Sequence, residues 1–287
     1  MTDATADTGR AASALQQALA RPRILVPVLI LVAATVLALL APALIGNPSG
    51  INPMARLQAP SLANLFGTDQ FGRSVAARTL HGTRISLLVG ASVTVAALLI
   101  GVTLGLLSGF VARVDAVLMR IMDAIMSIPT ILLAIALMAL FGAGVFNAII
   151  AIIIPEVPRM ARVVRGVTLS IRERPYIEAA ITNGARPLRL LFRHVMPMTA
   201  GPMLVQATYV FSAAVITEAI LSFLGAGAPP DVPSWGNIIS EGRTLFQIAP
   251  WVVIAPGVCL SILVLTVNSL GDAIRDQLDP KLRRETR

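Results

Sequence analysis

The chain has 287 residues, of which 56% are hydrophobic and only 13% are charged. Because a soluble domain carries about 25% charged residues, this composition excludes an ordinary soluble protein and indicates a membrane protein. The net charge of +8 does not indicate nucleic-acid binding, because aromatic residues are few and the arginines flank apolar runs. It is typical of a membrane protein that keeps positive residues on the cytoplasmic side.

Six apolar segments are long enough to cross a bilayer, which requires about 20 residues. In chain order they cover residues 24–45, 85–110, 118–141, 145–166, 199–224 and 249–270. The third and fourth come from one uncharged stretch that is too long for one span, and Gly142 and Gly144 supply the turn that divides it. We therefore predict an all-α membrane protein with six transmembrane helices. The first apolar run is too long for a typical signal peptide, so we interpret it as a retained anchor.

These spans predict how the chain is organised. It comprises an N-terminal tail (1–23), an anchor helix (24–45), an external loop with a short helical segment (46–84), a core domain (85–272) and a C-terminal tail (273–287). Residues 1–20 of the N-terminal tail are interpreted as disordered. With an even number of spans, both termini lie on one side of the membrane. If that side is the cytoplasm, the internal segments are 1–23, about 111–120, about 159–198 and 271–287, the third of which includes the charged end of the fourth span. They hold 18 of the 23 lysines and arginines, as the positive-inside rule requires.

The fourth span ends in charged residues at three-residue spacing: Glu156, Arg159, Arg162 and Arg165. This spacing places them on one side of a helix. Because charged side chains are costly in lipid, this side must emerge into water or pack against protein. Asp123, near the inner end of the third span, is expected to pair with Arg120 across one helical turn.

The cytoplasmic loop at about 166–198 predicts two short helices joined by a glycine turn. Pro175 is suited to the first helical position, and Gly184 after Asn183 provides a left-handed helix stop. Pro187 begins a second helix, and Pro197 ends it. The apolar face of that helix comprises Leu188, Leu191, Phe192 and Val195.

The first of these short helices has the features of a protein docking surface. Ala179 and Ala180 leave one face flat, and Glu178 beside them is the only acidic residue of the helix. The alternative is a basic amphipathic loop that lies on anionic lipid headgroups.

Several motifs in order resemble one known family. Glu178-Ala179-Ala180, Gly184 and Val195-Met-Pro197 are similar to the EAA loop of bacterial ABC importer permeases, with small departures in spacing and sequence. Further motifs are similar to those of one branch of this family, the dipeptide, oligopeptide and nickel importers, and especially to its C-type subunit. This similarity covers about residues 65–280. It is carried by Gly67-Thr-Asp-Gln-Phe-Gly-Arg73, Gly82-Thr-Arg-Ile-Ser-Leu-Leu, Glu218-Ala-Ile-Leu-Ser-Phe-Leu-Gly225, Pro233-Ser-Trp-Gly-Asn237, Glu241-Gly-Arg243, Ala249-Pro-Trp251 and Asn268-x-x-Gly-Asp272-x-x-Arg275-Asp-x-Leu-Asp-Pro280.

The resemblance implies a type I ABC importer permease fold in a bacterial inner membrane. It implies a heterodimer with a homologous permease, two cytosolic ABC ATPases and an external solute-binding protein. The residues expected to contact an ATPase are Glu178, Ala179, Ala180 and Gly184, with Arg186 and Arg189 as charged supports.

The chain itself is predicted to be a transport subunit and not an enzyme. Nothing around its single lysine, Lys281, matches the phosphate-binding motif G-x-x-x-x-G-K-[ST]. We find no pattern for a catalytic nucleophile or a metal site. The resemblance implies that ATP and Mg²⁺ are bound by the ATPase partners.

Two further groups of residues are candidates for function. Glu218, Ser222 and Phe223 are candidates for the translocation path or its gating, because acids inside a membrane usually face a cavity or a partner. For Glu218 we favour a structural or gating role over a charge-dependent one. Candidates for external contact are Asp69, Arg73, Trp235 and Asn237. Asp69 and Arg73 alternatively form a structural ion pair on a short surface helix, and Trp235 is of the type that anchors at a membrane interface.

The predicted substrate is a small peptide. An importer of nickel, opine or another small solute from the same branch is the nearest alternative, because the solute-binding protein should largely set specificity. A proton-coupled secondary transporter using Glu218 and a structural membrane scaffold are alternatives from other classes.

Overall fold

The computed structural model describes residues 22–45 and 47–278. Within them lie ten α-helices: α1 Pro22–Leu44, α2 Val75–Phe110, α3 Ala112–Met126, α4 Thr130–Phe141, α5 Val145–Arg172, α6 Pro175–Thr182, α7 Pro187–Leu190, α8 Met196–Phe223, α9 Trp235–Gly242 and α10 Trp251–Leu278. These residues contain no β-strand, so the predicted all-α class is confirmed. The N-terminal tail predicted to be disordered and most of the C-terminal tail lie outside the described residues.

The centre of the bundle consists of α2, α5 and α8. The helices α1 and α10 pack against each other and against this centre, α1 on α2 and α10 on α8. Glycines one turn apart on α2 allow α5 to approach closely, in the manner of small residues at membrane helix interfaces. A Cβ atom added at Gly105 would lie 2.6 Å from the carbonyl oxygen of Ala161 and 2.7 Å from Cβ of Val164. Gly101 and Gly109 meet α5 in the same way.

Replacing Gly105 by leucine should force α2 and α5 apart. Overpacking of this kind costs about 1–3 kcal/mol or more, so we expect a lower melting temperature and less folded protein in detergent. Gly257→Leu on α10 is the matched control, because nothing lies within 4 Å of a Cβ atom added there. Equal melting temperatures for the two variants would contradict this account of the packing.

Four helical runs are long and apolar enough to span a membrane: α1, α2, the run Leu191–Phe223 and α10. The pair α3 and α4 makes a fifth candidate, bent by 87° between its helices. The 28 residues of α5 are also long enough, but this helix carries too many charged residues to be recognised by hydropathy.

The prediction of one continuous third span at 118–141 is wrong. The helix is interrupted at Ser127-Ile-Pro129, which separates α3 from α4. A residue before proline is driven out of the helical region, and proline has no N–H to continue the helix. Pro129 instead precedes the first residue of α4, where these restrictions cost nothing.

The loop between α1 and α2 is shorter than the predicted 46–84, because α2 begins at Val75 and not at 85. Oγ of Ser74 caps the helix by accepting a hydrogen bond from N–H of Ala77 at 3.3 Å. Before this cap, the only helical segment of the described loop is one 3₁₀ turn at Pro53–Ala55. The 36 residues of α2 rise about 54 Å, so the helix extends well beyond the hydrocarbon core.

Candidate functional site

The segment between α5 and α8 contains the predicted docking helix, α6. It begins at Pro175 and ends in a left-handed turn at Gly184, whose φ is 78°, as predicted. N–H of Gly184 donates to the carbonyl of Ile181 at 2.9 Å, and N–H of Ala185 donates to that of Ala180 at 3.0 Å. This pair of bonds is a Schellman motif, which satisfies the carbonyls at the end of the helix and fixes the direction of the chain.

One buried side chain fixes α6 to the bundle. Ile177 is fully buried in the main hydrophobic core, together with Ile171 of α5 and Val195 before α8. N–H of Arg174 donates to the carbonyl of Ile171 at 3.1 Å, so the turn from α5 into α6 is tight. This packing and the tight turn attach α6 to the end of α5 and to Val195 before α8.

The opposite side of α6 faces away from the protein. Glu178, Ala179 and Gly184 are exposed, Ala180 is half-buried, and Arg186 and Arg189 are exposed. The same segment exposes three apolar side chains that the sequence did not assign to this surface, namely Tyr176, Ile181 and Phe192. We call this set of exposed apolar and charged residues the α6 face. Its contact with an ATPase stays a prediction.

The second short helix differs from the prediction in two respects. Phe192 is 61% exposed, although it was assigned to the buried apolar face that includes Val195. Pro197 does not end the helix, because a π-turn at Leu191–Val195 leads into α8 and places this proline in the first turn of α8. Proline has no N–H to continue the regular helical hydrogen bonds, and the wider π-turn before it accommodates this interruption.

The four charged residues on one side of α5 form ion pairs among the described residues. Arg159 pairs with Glu156 at 2.9 Å, Arg162 pairs with Asp123, and Arg165 holds Asp115 through both carboxylate oxygens. The expected Asp123–Arg120 pair is therefore wrong, because the neighbouring helix supplies a better partner. Both expected outcomes for this charged side are seen, because its residues pair within the protein while the side chains of Arg159 and Arg162 stay 39% and 49% exposed.

Glu218 lies near the outer end of α8 and is 1% exposed. Its Oε1 accepts a hydrogen bond from Oγ of Ser222 at 2.7 Å, and that Oγ accepts one from N–H of Ala228 at 3.0 Å. The acid therefore orders the turn after α8 through Ser222, which is also buried. Phe223 is half-buried and lies beneath the guanidinium of Arg243, 5.8 Å from the ring centre. The roles of these residues in translocation or gating stay predictions.

Glu218→Gln should leave transport within about twofold of wild type, because an amide oxygen still accepts the Ser222 hydrogen bond. Glu218→Ala removes that acceptor from a buried hydroxyl and should lower the melting temperature. Both are measured by uptake and thermal unfolding of the purified complex. A glutamine variant that assembles normally but transports nothing would indicate a charge-dependent role.

The loop before α2 is held by a buried network of four charged residues. Arg78, whose side chain is 3% exposed, binds Asp69 at 2.9 Å and both carboxylate oxygens of Glu241 at 2.8 Å. Arg73 binds Asp69 at 2.6 Å and also reaches Glu241. The alternative of a structural Asp69–Arg73 ion pair is confirmed. The pair lies on a turn and not on the surface helix that was expected. Sequence reasoning missed the central role of Arg78, because Glu241 is 163 residues away.

Trp235 and Asn237 are also internal residues. Trp235 is 1% exposed, and its indole N–H donates to the carbonyl of Thr79 at 2.9 Å. Its expected position as a membrane-interface anchor is therefore wrong. The amide of Asn237 donates to the carbonyls of Ala228, Pro229 and Val232, which closes the loop before α9. Any effect of Asp69, Arg73, Trp235 and Asn237 on an external partner stays a prediction, and it would act through the loops that they hold.

Comparison with known proteins identifies relatives over most of the chain. The family described as binding-protein-dependent transport system inner membrane component matches residues 98–284. The chain is 49% identical to a probable peptide ABC transporter permease protein of Sinorhizobium fredii, over 86% of this chain and 85% of that protein. It is 41% identical to a dipeptide transport system permease protein of Alkalihalophilus pseudofirmus, over 90% and 86% of the two chains.

One solved structure shares the fold. It is an inward-facing conformation of the MetNI methionine ABC transporter, with a TM-score of 0.59 and 22% identity. The match covers 70% of this chain and 96% of the other.

Proposed function

The chain belongs to the family of binding-protein-dependent transport system inner membrane components, and on that premise we propose that it forms half of a translocation path for small peptides. It is a multi-pass inner-membrane permease of the ABC importer class and has the type I permease fold. The peptide substrate is supported by relatives that are 41–49% identical to this chain and are named as peptide and dipeptide permeases.

The proposed topology has six spans with both termini in the cytoplasm. The spans are α1, α2, the bent pair α3 and α4, α5, the run Leu191–Phe223, and α10. Pairing of the charges on α5 supports its inclusion, because each paired charge is cheaper to place inside a membrane bundle than an isolated one. The distribution of arginines supports the orientation.

The α6 face is the proposed contact with an ATPase. The observation that supports this contact is that α6 is an exposed helix, which the turn at Gly184 and the buried side chain of Ile177 join to α5 and α8. ATP and Mg²⁺ would be held by two ATPase partners, while this chain supplies no nucleotide chemistry of its own. A homologous permease and a solute-binding protein complete the proposed assembly, and a nickel, opine or other small-solute substrate remains the alternative within it.

The experiment is purification of the tagged chain from membranes, followed by identification of associated proteins and an ATPase assay. Wild type should bring down subunits that carry a phosphate-binding loop, and Glu178→Arg should lose them by reversing the only charge of α6. Glu173→Arg is the matched control, since Glu173 is an exposed acid in the same segment but outside α6. Retention of the ATPases by Glu178→Arg would contradict the proposed contact.

A further inference from the structure

A cavity of about 430 Å³ lies between α4, α5 and α8. Its polar wall consists of Thr130 at the start of α4, Glu156 and Arg159 of α5, and Thr217 of α8. Ile131, Ile216 and Ile220 supply the apolar wall. A cavity with both walls has the composition of a site for a small amphiphilic molecule.

Arg159 is the accessible charge in this cavity. Its side chain is 39% exposed, whereas that of its partner Glu156 is 2% exposed. One terminal nitrogen of Arg159 donates to Oε1 of Glu156 at 2.9 Å, and the other donates to Oγ1 of Thr130 at 2.6 Å. A guanidinium has five N–H donors, so three remain without a partner among the described residues.

This arrangement differs from the ion pairs of Arg78 and Arg165. Arg78 is buried and donates hydrogen bonds to two carboxylates, and Arg165 donates to both oxygens of one carboxylate through two nitrogens. Arg159 is instead held at one edge by Glu156 and Thr130 while much of its side chain stays open to the cavity. Exposed charge at membrane depth is costly, and where it occurs it marks the path of a substrate or an ion.

The nearby backbone is also more polar than that of an ordinary membrane helix. Pro155 and Pro158 lie on either side of Glu156 and lack N–H groups, so the carbonyls of Ala151 and Ile154 lose their usual helical donors. Irregular backbone of this kind is tolerated at membrane depth where it is buried in protein or lines a cavity.

We propose that Arg159 binds the free C-terminal carboxylate of a peptide during translocation. The guanidinium forms paired hydrogen bonds with a carboxylate, and Glu156 and Thr130 orient it for this contact. The three isoleucines contact an apolar part of the peptide. This inference rests on the proposed peptide transport and deepens it by naming the group that the path recognises.

The test is uptake by the complete complex in proteoliposomes, with one peptide supplied as the free acid and as its C-terminal amide. For each peptide the rate of a variant is divided by the wild-type rate. The same solute-binding protein serves every variant, so its own preference between the peptides cancels in this ratio. Arg159→Gln should lower the ratio for the free acid about tenfold, as expected for loss of a charged hydrogen-bonded contact, and should lower that for the amide less than twofold.

Arg162→Gln is the matched control, because Arg162 lies on the same helix and pairs with Asp123 but does not line the cavity. It should change the two ratios equally. An equal change for both peptides in Arg159→Gln, or loss of the homologous permease from that variant, would overturn the inference and make the residue structural. If wild type transports neither peptide while another solute is taken up, the proposed peptide substrate fails first, and the inference fails with it.

Discussion

Gly184→Val should abolish coupled transport while the complex still inserts into the membrane. Gly184 has a φ of 78°, where a β-branched residue is strained by about 1–3 kcal/mol. Relief of that strain would unwind the end of α6 and break the two hydrogen bonds of the Schellman motif. We expect ATP hydrolysis to continue and peptide uptake to fall at least about tenfold, because about 1.4 kcal/mol of lost coupling corresponds to that factor.

Two control variants isolate the backbone conformation from the size of the side chain. Asparagine tolerates the left-handed conformation, so Gly184→Asn should retain most of the uptake. Gly166→Val adds the same side chain within α5, where no positive φ is required and nothing lies within 4 Å of the new Cβ. It should leave uptake nearly unchanged. Normal uptake by Gly184→Val would show that the turn has no part in coupling.

Arg78→Met should be the most destabilising single change on the external side. It leaves the carboxylates of Asp69 and Glu241 without their most buried partner, and breaking a buried ion pair costs about 3–5 kcal/mol. The expected result is a large fall in melting temperature and in the yield of folded protein. Thermal unfolding of the detergent-purified chain measures it directly.

Arg84→Met provides the comparison, since Arg84 lies on the same helix, is exposed and has no ion pair among the described residues. It should unfold at nearly the wild-type temperature. If both variants unfold together at the wild-type temperature, the buried network does not stabilise the external loop, and our account of that loop is wrong.

Local features were predictable from the sequence because short-range rules determine them. Hydropathy located the apolar runs now seen in α1, α2 and α10, and the Asn183-Gly184 pair predicted a left-handed stop. Pro175 marked the start of α6 for the same kind of reason. In each case the deciding interaction lies within a few residues along the chain.

The errors arose where distant parts of the chain decide the structure. Arg78 is buried in the first turns of α2 because Glu241 neutralises it, and no local pattern gives this pairing. Asp123 prefers Arg162 on a neighbouring helix to Arg120 on its own. The break at Pro129 is a different kind of error, because its signal was present in the sequence but was outweighed by an uninterrupted apolar run.

The position of α6 gives the proposed function its mechanical basis. The helix joins α5 to α8, and both belong to the central packing layer with α2. In the proposed assembly, a partner that displaced the α6 face would move the helices that form the cavity around Arg159. This would be the physical link through which ATP and substrate bias the same two states.

Uptake of a labelled dipeptide into proteoliposomes containing the complete complex distinguishes an ATP-driven importer from a proton-coupled carrier. We expect uptake that requires both ATP and the solute-binding protein and that persists in the presence of a proton uncoupler. Uptake that needs no ATP and collapses with the uncoupler would contradict it and indicate a proton-coupled carrier.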